Sequence, residues 1–351
     1  MIDVETREAM EMIRDSAGGV ASREEFSRIR KLRYTNPGFE RAVWREMCEM
    51  GWPAMRVAEA DGGLGLGMLH YCALVEEMGR GLVPEPLVSA VLATSFLKGD
   101  ALANQLSGER LALPAWQDSR GSLAPDAPLS RDGGNVSAEK LYVPFAAGAD
   151  DFVVIGSDAA ALVAADAPGV TVTSHETQDG GNMASVVIRS APAKPVDADP
   201  AAPLAEASLA ASAYLLGVAE SALDMTVAYL KTRTQFGKAI GSFQILQHMA
   251  VDLKLEGVLL RACIEDAAAR WDREGPTRAA RAAVLRTRVR AVRASGKITR
   301  DAIQLHGGIG FTDEHDIGLF LRKAIVVASH YGSAEARQAG YAKLQSVSEE
   351  A

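Results

Sequence analysis

Apolar positions change their spacing twice along the chain. Up to about residue 112 they recur at helical intervals. Phe39, Val43, Trp44, Met47 and Met50 place one apolar stripe on residues 39–50, which Gly51 ends. Residues 69–78 and 87–97 predict two further amphipathic helices. The glycine-rich stretch between them, AEADGGLGLG at 58–67, reads as a flexible connecting loop. Its glycines give GxGxG rather than GxGxxG, and no strand precedes them in a βαβ unit.

Residues 113–198 are rich in Pro, Gly and Asp, with short β-type runs at 152–155 (FVVI), 170–173 (VTVT) and 185–188 (SVVI). No helical pattern separates these runs, so they predict antiparallel β structure, a small barrel or sandwich. Gly133-Gly134-Asn135 and Gly180-Gly181-Asn182 supply turns. From 199 onward the helical period returns over 209–232, 243–271 and 277–305, with Pro276 placed to open the third segment. A fourth segment runs over 318–328 and resumes at Ser333, which completes a bundle. The expected architecture is an α+β multidomain chain: helical at 1–112, β at 113–198, bundle at 199–351.

Composition narrows the class. The 351 residues are 48% hydrophobic and 23% charged, with a net charge of −8. That excludes nucleic acid or an anionic membrane as the main partner. The basic stretch 278–300 alternates with small apolar residues and reads as a solvated helix face or a subunit interface. Cys48, Cys72 and Cys263 lie far apart without metal-ligand spacing, so free buried thiols, no metal site and a reducing cytosol are expected. The opening MIDVETREAM is charged and has no apolar signal core, and no long apolar run predicts a membrane span. These features predict a cytoplasmic protein.

Two motifs carry candidate chemistry. RTQFGKAIGSFQILQH at 233–248 offers the guanidinium of Arg233, the ring of Phe236, the amides of Gln244 and Gln247, and bare backbone at Gly237 and Gly241. An Arg fork at a helix end suits a pyrophosphate, and an aromatic face suits an adenine. The same residues also suit an interhelix turn, with Phe236 in the core and Arg233 capping a helix. QLHGGIG at 304–310 ends a helix at Gly307 and Gly308, where free N–H groups suit a phosphate. His306 reads as a satisfied structural histidine.

Together with GWPAMRVAEADGGLG, VEEMGRGLVPEPL and AIQLHGGIGFTDEHDIGLFLRKA, these motifs make the chain resemble the acyl-CoA dehydrogenase family over nearly its whole length. The resemblance implies an N-terminal helical domain, a middle β-barrel and a C-terminal four-helix bundle, with FAD between the β domain and the bundles of two subunits. Arg233, Phe236 and Gln244 match residues that hold the neighbouring subunit's FAD. Gln304, Gly307 and Gly308 match the loop for its adenosine–pyrophosphate part, and Ser333 matches a further cofactor contact. LPAWQDS at 113–119 keeps only part of the family's flavin-facing TEPxAGSD segment, whereas LYVPFAAGADDFVVIG at 141–156 matches its second flavin-facing strand.

The family's reaction takes the α-proton of an acyl-CoA while a hydride leaves Cβ for the flavin, which requires a carboxylate base. Tyr331 and Ala207 occupy the family's two positions for that base. Glu206 and Glu314 are the neighbouring carboxylates and the candidate replacements, since a Tyr331 phenolate would need a pKa far below about 10. Base-less members resemble one half of the two-component enzymes of bacterial steroid side-chain degradation, which are α2β2 heterotetramers. The resemblance therefore implies an acyl-CoA substrate from fatty acid or steroid degradation, and an electron-transfer flavoprotein or similar acceptor. It also implies either a homo-oligomer or an α2β2 heterotetramer, and either a working dehydrogenase or a non-catalytic FAD/CoA-binding subunit.

Overall fold

The computed structural model describes residues 2–22, 25–196 and 199–346. Six helices come first: α1 (Val4–Ser16), α2 (Ser27–Leu32), α3 (Arg41–Glu49), α4 (Met68–Arg80), α5 (Leu87–Thr94) and α6 (Gly99–Ser107). The strands follow: β1 (Ala112–Ala115), β2 (Ser130–Asp132), β3 (Asn135–Pro144), β4 (Asp151–Ile155), β5 (Ala160–Ala164), β6 (Val170–Glu176), β7 (Asn182–Pro192) and β8 (Lys194–Val196). Then come α7 (Ala201–Thr232), the hairpin β9 (Thr234–Gln235) and β10 (Lys238–Ala239), α8 (Gln244–Glu274), α9 (Arg278–His306), α10 (Ile317–Ser329) and α11 (Ala334–Ser346).

The expected order of helices, sheet and bundle is present. The strands form two four-stranded sheets, β1-β4-β5-β8 and β2-β3-β7-β6. Val136, Val143, Ala184, Val186 and Ile188 of one sheet meet Phe152, Val154, Ala161 and Val163 of the other in a common core. The pairing is antiparallel as predicted, except that β1 pairs with β4 in parallel, Ala112 opposite Asp151. The continuous apolar run of β4 follows from its two covers. Phe152 and Val154 face the sheet core, while Val153 and Ile155 face the helical core.

The bundle helices run longer than their periodicity indicates. α7 starts at Ala201, eight residues before the 209 expected, and its first turns already bury Leu204, Ala207 and Ser208. It is also long and apolar enough by composition to cross a membrane, contrary to the sequence expectation, with two-thirds of its most apolar window (67%) buried inside the protein. A core helix covered on most sides has no need of a polar face. Gly217 of α7 touches α4 so closely that a Cβ would stand 1.9 Å from the Glu76 carbonyl, and a Cβ on Gly79 would stand 2.1 Å from the Tyr214 carbonyl. The two backbones therefore pack directly on each other.

The basic stretch of α9 is only partly a solvated face. Arg288 within it is fully buried. Cys48 and Cys72 are buried and Cys263 is half-buried, all free. The 58–67 loop is ordered by tight turns, in which a Cβ on Gly63 would strike the Val57 carbonyl at 2.1 Å.

Candidate active site

A chamber of about 690 Å³ opens between the sheets and the turn that joins α10 to α11. This lies within the ~300–1,000 Å³ range of ligand pockets. Trp116, Gln117, Arg120 and Gly121 reach it from the segment after β1, Tyr142 and Pro144 from β3, and His330 to Ser333 from the α10–α11 turn. The segment after β1 is held by charge: the buried Lys140 ammonium donates to Asp118 Oδ1 at 2.6 Å, while Asp118 Oδ2 accepts from the Asp126 and Ala127 N–H groups. A narrow slot of about 80 Å³ adjoins the chamber, lined by Val75, Met78, Leu87 and Ala211 with Glu85, Asp179 and Lys323. Ser89, Thr177, His330 and Tyr331 line both spaces.

Backbone strain concentrates here. Tyr142, Phe145 and Tyr331 line these spaces with φ of 56°, 55° and 58°, a left-handed conformation rarely taken by aromatic residues. Two buried arginines fix the turn that carries Tyr331. Arg337 donates from Nε to the Tyr331 carbonyl at 3.3 Å and from Nη2 to the carbonyls of Ala328 and His330 at 3.1 and 2.6 Å. Arg288 donates from Nη2 to the carbonyls of Val327 and His330 at 2.5 and 3.1 Å. These carbonyls are the negative end of α10, so the cations also meet its dipole. Burial pushes both guanidinium pKa values down, Arg337 to about 10, and the charge of Arg337 lowers that of Arg288 further.

Tyr331 cannot serve as a phenolate. Burial pushes its phenol up to about 12, against the opposing hydrogen bond with Ser89. Its ring lies parallel to the Trp116 indole, with centroids 6.4 Å apart and planes 8° apart. His330 is no stronger a base. Burial and the neighbouring Arg288 push its pKa to about 3, and its buried Nε2 has no partner.

Among the described residues, Glu85 and Asp179 are the carboxylates that line either space. Both are engaged. Arg28 donates to the two Glu85 oxygens at 2.7 and 3.1 Å. Asp179 accepts from the Lys323 ammonium, from Thr177 Oγ1 at 2.5 Å and from the Gly181 N–H at 3.1 Å. Burial alone would raise the Asp179 pKa, but Lys323 and these hydrogen bonds outweigh it and hold it below the usual carboxylate value.

The candidate replacement bases lie elsewhere. Glu206 accepts a two-pronged bond from Arg56 at 2.6 and 3.2 Å and a third from Trp271 Nε1 at 2.8 Å, outside the lining of both spaces. It joins the N-terminal helices to α8. Glu314 is exposed beyond the end of α9 and also lines neither space. Ala207 is buried in the helical core.

The two sequence motifs meet at one end of the bundle. Leu230, Ile240, Leu246 and Leu305 share a small apolar cluster there, and His306 stacks on Tyr229 at 4.5 Å. His306 Nδ1 lies 2.8 Å from the Ala302 carbonyl, in keeping with a structural role. On this end Arg233, Gln244, Gln304, Gly307 and Gly308 are exposed. Phe236, at the tip of the β9–β10 hairpin, is 91% exposed. The alternative of a core phenylalanine is thereby excluded. Cβ atoms added at Gly237, Gly307 or Gly308 would meet nothing within 4 Å, so a ligand has room to approach the bare backbone.

Ser333 is not brought to this end. It lies in the chamber, where its Oγ accepts the Ala336 N–H at 3.1 Å and caps α11. Val292 of α9 also lines the chamber. Its twelve-residue separation from Gln304 corresponds to about 18 Å of helical rise. The exposed motif end and the chamber are therefore separate places on one chain.

Sequence reasoning missed Ser89, the Lys323–Asp179 pair and the Arg288–Arg337 pair. Lys323 had a signal, a charge set between Phe320 and Ile325 in a mostly apolar helix. Arg288 had none, being one of many arginines in α9.

The comparisons with known proteins agree with this geometry. A profile described as "Acyl-CoA dehydrogenase, N-terminal domain" matches residues 7–103, and one described as "Acyl-CoA dehydrogenase, C-terminal domain" matches residues 201–341. Acyl-CoA dehydrogenase IpdE2 of Mycobacterium tuberculosis is 31% identical over 325 residues, spanning 90% of this chain and 91% of the relative. Acyl-CoA dehydrogenase FadE27 of the same organism is 30% identical over 82% of this chain and 83% of the relative. Among solved structures, the Tcur3481-Tcur3483 steroid ACAD G363A variant superimposes with a TM-score of 0.86 at 27% identity, covering 99% of both chains. The ChsE4-ChsE5 complex of Mycobacterium tuberculosis shares the fold with a TM-score of 0.84 at 24% identity, covering 98% of this chain and 97% of that one. The chain belongs to the acyl-CoA dehydrogenase family.

Proposed function

We propose that this chain is one subunit of a heteromeric, FAD-dependent acyl-CoA dehydrogenase whose partner subunit supplies the carboxylate base. One observation carries the reading: each carboxylate lining the chamber or the slot is ion-paired, and the base position holds the protonated phenol of Tyr331. Abstraction of a thioester α-proton needs a free, positioned acceptor. Glu206 and Glu314 do not supply one here, because neither lines the spaces.

The exposed end of the bundle fits a dinucleotide. The Arg233 guanidinium has no side-chain partner among the described residues, the Phe236 face is bare, and the glycine backbone is open. Arg233 would pair with the pyrophosphate, Phe236 would stack, Gln244 and Gln304 would offer amides, and Gly307 and Gly308 would offer N–H groups. FAD, when bound, supplies the hydride acceptor for an acyl-CoA and passes the electrons to an electron-transfer flavoprotein or a similar acceptor. Placed some 18 Å from the chamber along α9, this end is exposed and free to meet a second subunit. That arrangement supports the α2β2 form, and the pairing of chains named for the Tcur3481-Tcur3483 and ChsE4-ChsE5 structures is in keeping with it.

The test is expression with and without a base-bearing dehydrogenase subunit, read by flavin absorbance. The expected result is stable flavin only in the co-purified complex. Bleaching by acyl-CoA should disappear when the partner's glutamate is replaced. Flavin bleaching by this chain alone would defeat the reading.

A further inference from the structure

We infer that Tyr331 is a plug that shuts the acyl slot of this chain, so that the acyl group of the thioester is admitted only by the partner subunit. This deepens the heteromer reading and rests on it for the identity of the ligand. The geometry itself stands apart from that reading.

Tyr331 belongs to the wall shared by the slot and the chamber, and Ser89 stands in the same wall. Both residues line both spaces, so the partition is built from their side chains. The spaces on its two sides differ greatly in size, about 690 Å³ against about 80 Å³. The smaller falls well below the ~300 Å³ at which ligand pockets begin. Its lining is nevertheless that of an acyl site, apolar side chains of α4, α5, α7 and α10 with the Lys323–Asp179 pair at its wall. A slot of acyl character without acyl volume is what a plugged site looks like.

The ring is held rather than hinged. Arg337 bonds the Tyr331 carbonyl and, with Arg288, the His330 carbonyl. The Trp116 indole runs parallel to the ring on the chamber side. A turn whose backbone carbonyls are tied to two buried cations, with its ring parallel to an indole, does not open as a lid would. The backbone conformation adds a useful asymmetry. At φ 58° a tyrosine is strained and a glycine is not. Removing the plug with glycine therefore relieves local strain while it empties the slot.

The probes are octanoyl-CoA and free CoA, titrated calorimetrically into the full-length chain. Wild type and Tyr331→Phe, which keeps the ring, are expected to bind octanoyl-CoA no more tightly than CoA. Tyr331→Gly is expected to bind octanoyl-CoA at least tenfold more tightly than CoA, and Tyr331→Ala serves in its place should the glycine variant not fold. A tenfold or greater preference for octanoyl-CoA in wild type would overturn the plug, as would a folded Tyr331→Gly or Tyr331→Ala without that preference. Either failure leaves the heteromer reading intact as long as flavin appears only in the complex. Flavin bleaching by the lone chain defeats that reading whatever the titrations give.

Discussion

The rings of Trp116 and Tyr331 lie parallel, 8° apart in plane and 6.4 Å between centroids, one after the first strand and the other at the end of α10. This pair joins the sheet to the bundle at the position that the proposed reading assigns to the missing carboxylate. Its chemistry is that of a wall. The phenol is buried and its pKa is displaced away from the physiological range.

Tyr331 should therefore stay protonated until about pH 12. The phenolate absorbance of wild type minus that of Tyr331→Phe should show no step near the ordinary value of about 10. A step at or below that value would restore Tyr331 as a candidate base.

Glu206→Gln should act on stability and not on chemistry. It leaves the guanidinium of Arg56 without its charge partner and weakens the bond from Trp271. Removing one partner of a largely buried pair costs about 3 kcal/mol. Chemical denaturation should report that loss, while flavin reduction in the complex stays within about twofold of wild type, a change of under ~0.5 kcal/mol in the barrier. Intact stability with abolished reduction would instead identify Glu206 as the base.

His330 sets a pH dependence. Its folded pKa of about 3 lies below the ordinary value of 6.5, because burial and Arg288 disfavour the charged ring. The unfolded chain therefore takes up a proton that the folded chain refuses. Stability from this group is complete above pH 6.5 and is lost as pH falls toward 3, at up to about 1.4 kcal/mol per pH unit. Denaturation midpoints between pH 7 and pH 4 should slope less in His330→Gln than in wild type. Equal slopes would show that the imidazole titrates normally.

Arg233→Ala and Phe236→Ala should leave the fold unchanged, because both side chains face solvent. Their melting curves should match wild type to within about 0.5 kcal/mol. FAD affinity of the co-purified complex should fall about 10- to 100-fold for Arg233→Ala, the range of one lost charged hydrogen bond. Unchanged flavin content after gel filtration would remove the bundle end from the cofactor site.

Much of this was legible in the sequence, and for identifiable reasons. Periodicity located the long bundle helices because each keeps a repeating apolar stripe over many turns. It placed the start of α7 too late because residues 201–208 are rich in alanine, with Pro203 and Glu206 among them, and carry no repeating apolar stripe. The runs FVVI, VTVT and SVVI were visible as strands, whereas the parallel pairing of β1 with β4 depends on a contact some forty residues apart that no local pattern encodes. The cofactor motifs were legible because glycine, arginine and aromatic residues stand together in sequence. The slot was not, because Ser89, Asp179 and the Lys323–Tyr331 stretch come from three distant segments. Glu206 looked like a candidate base by adjacency to Ala207, and only its Arg56 and Trp271 partners reveal its structural duty.

The backbone contact of Gly79 and Gly217 bears on how the chain is made. The first helical layer has no complete core of its own, since its apolar faces close on α7, including a bond from the Tyr214 hydroxyl to the Val83 carbonyl across 131 residues of sequence. During synthesis α4 leaves the ribosome long before α7 exists, and its buried face stays open to water for that interval. Loop closure over such a span is slow, and exposed apolar surface in the meantime invites aggregation. The N-terminal hundred residues, separate as they look in sequence, would have to wait for the second half of the chain to finish folding.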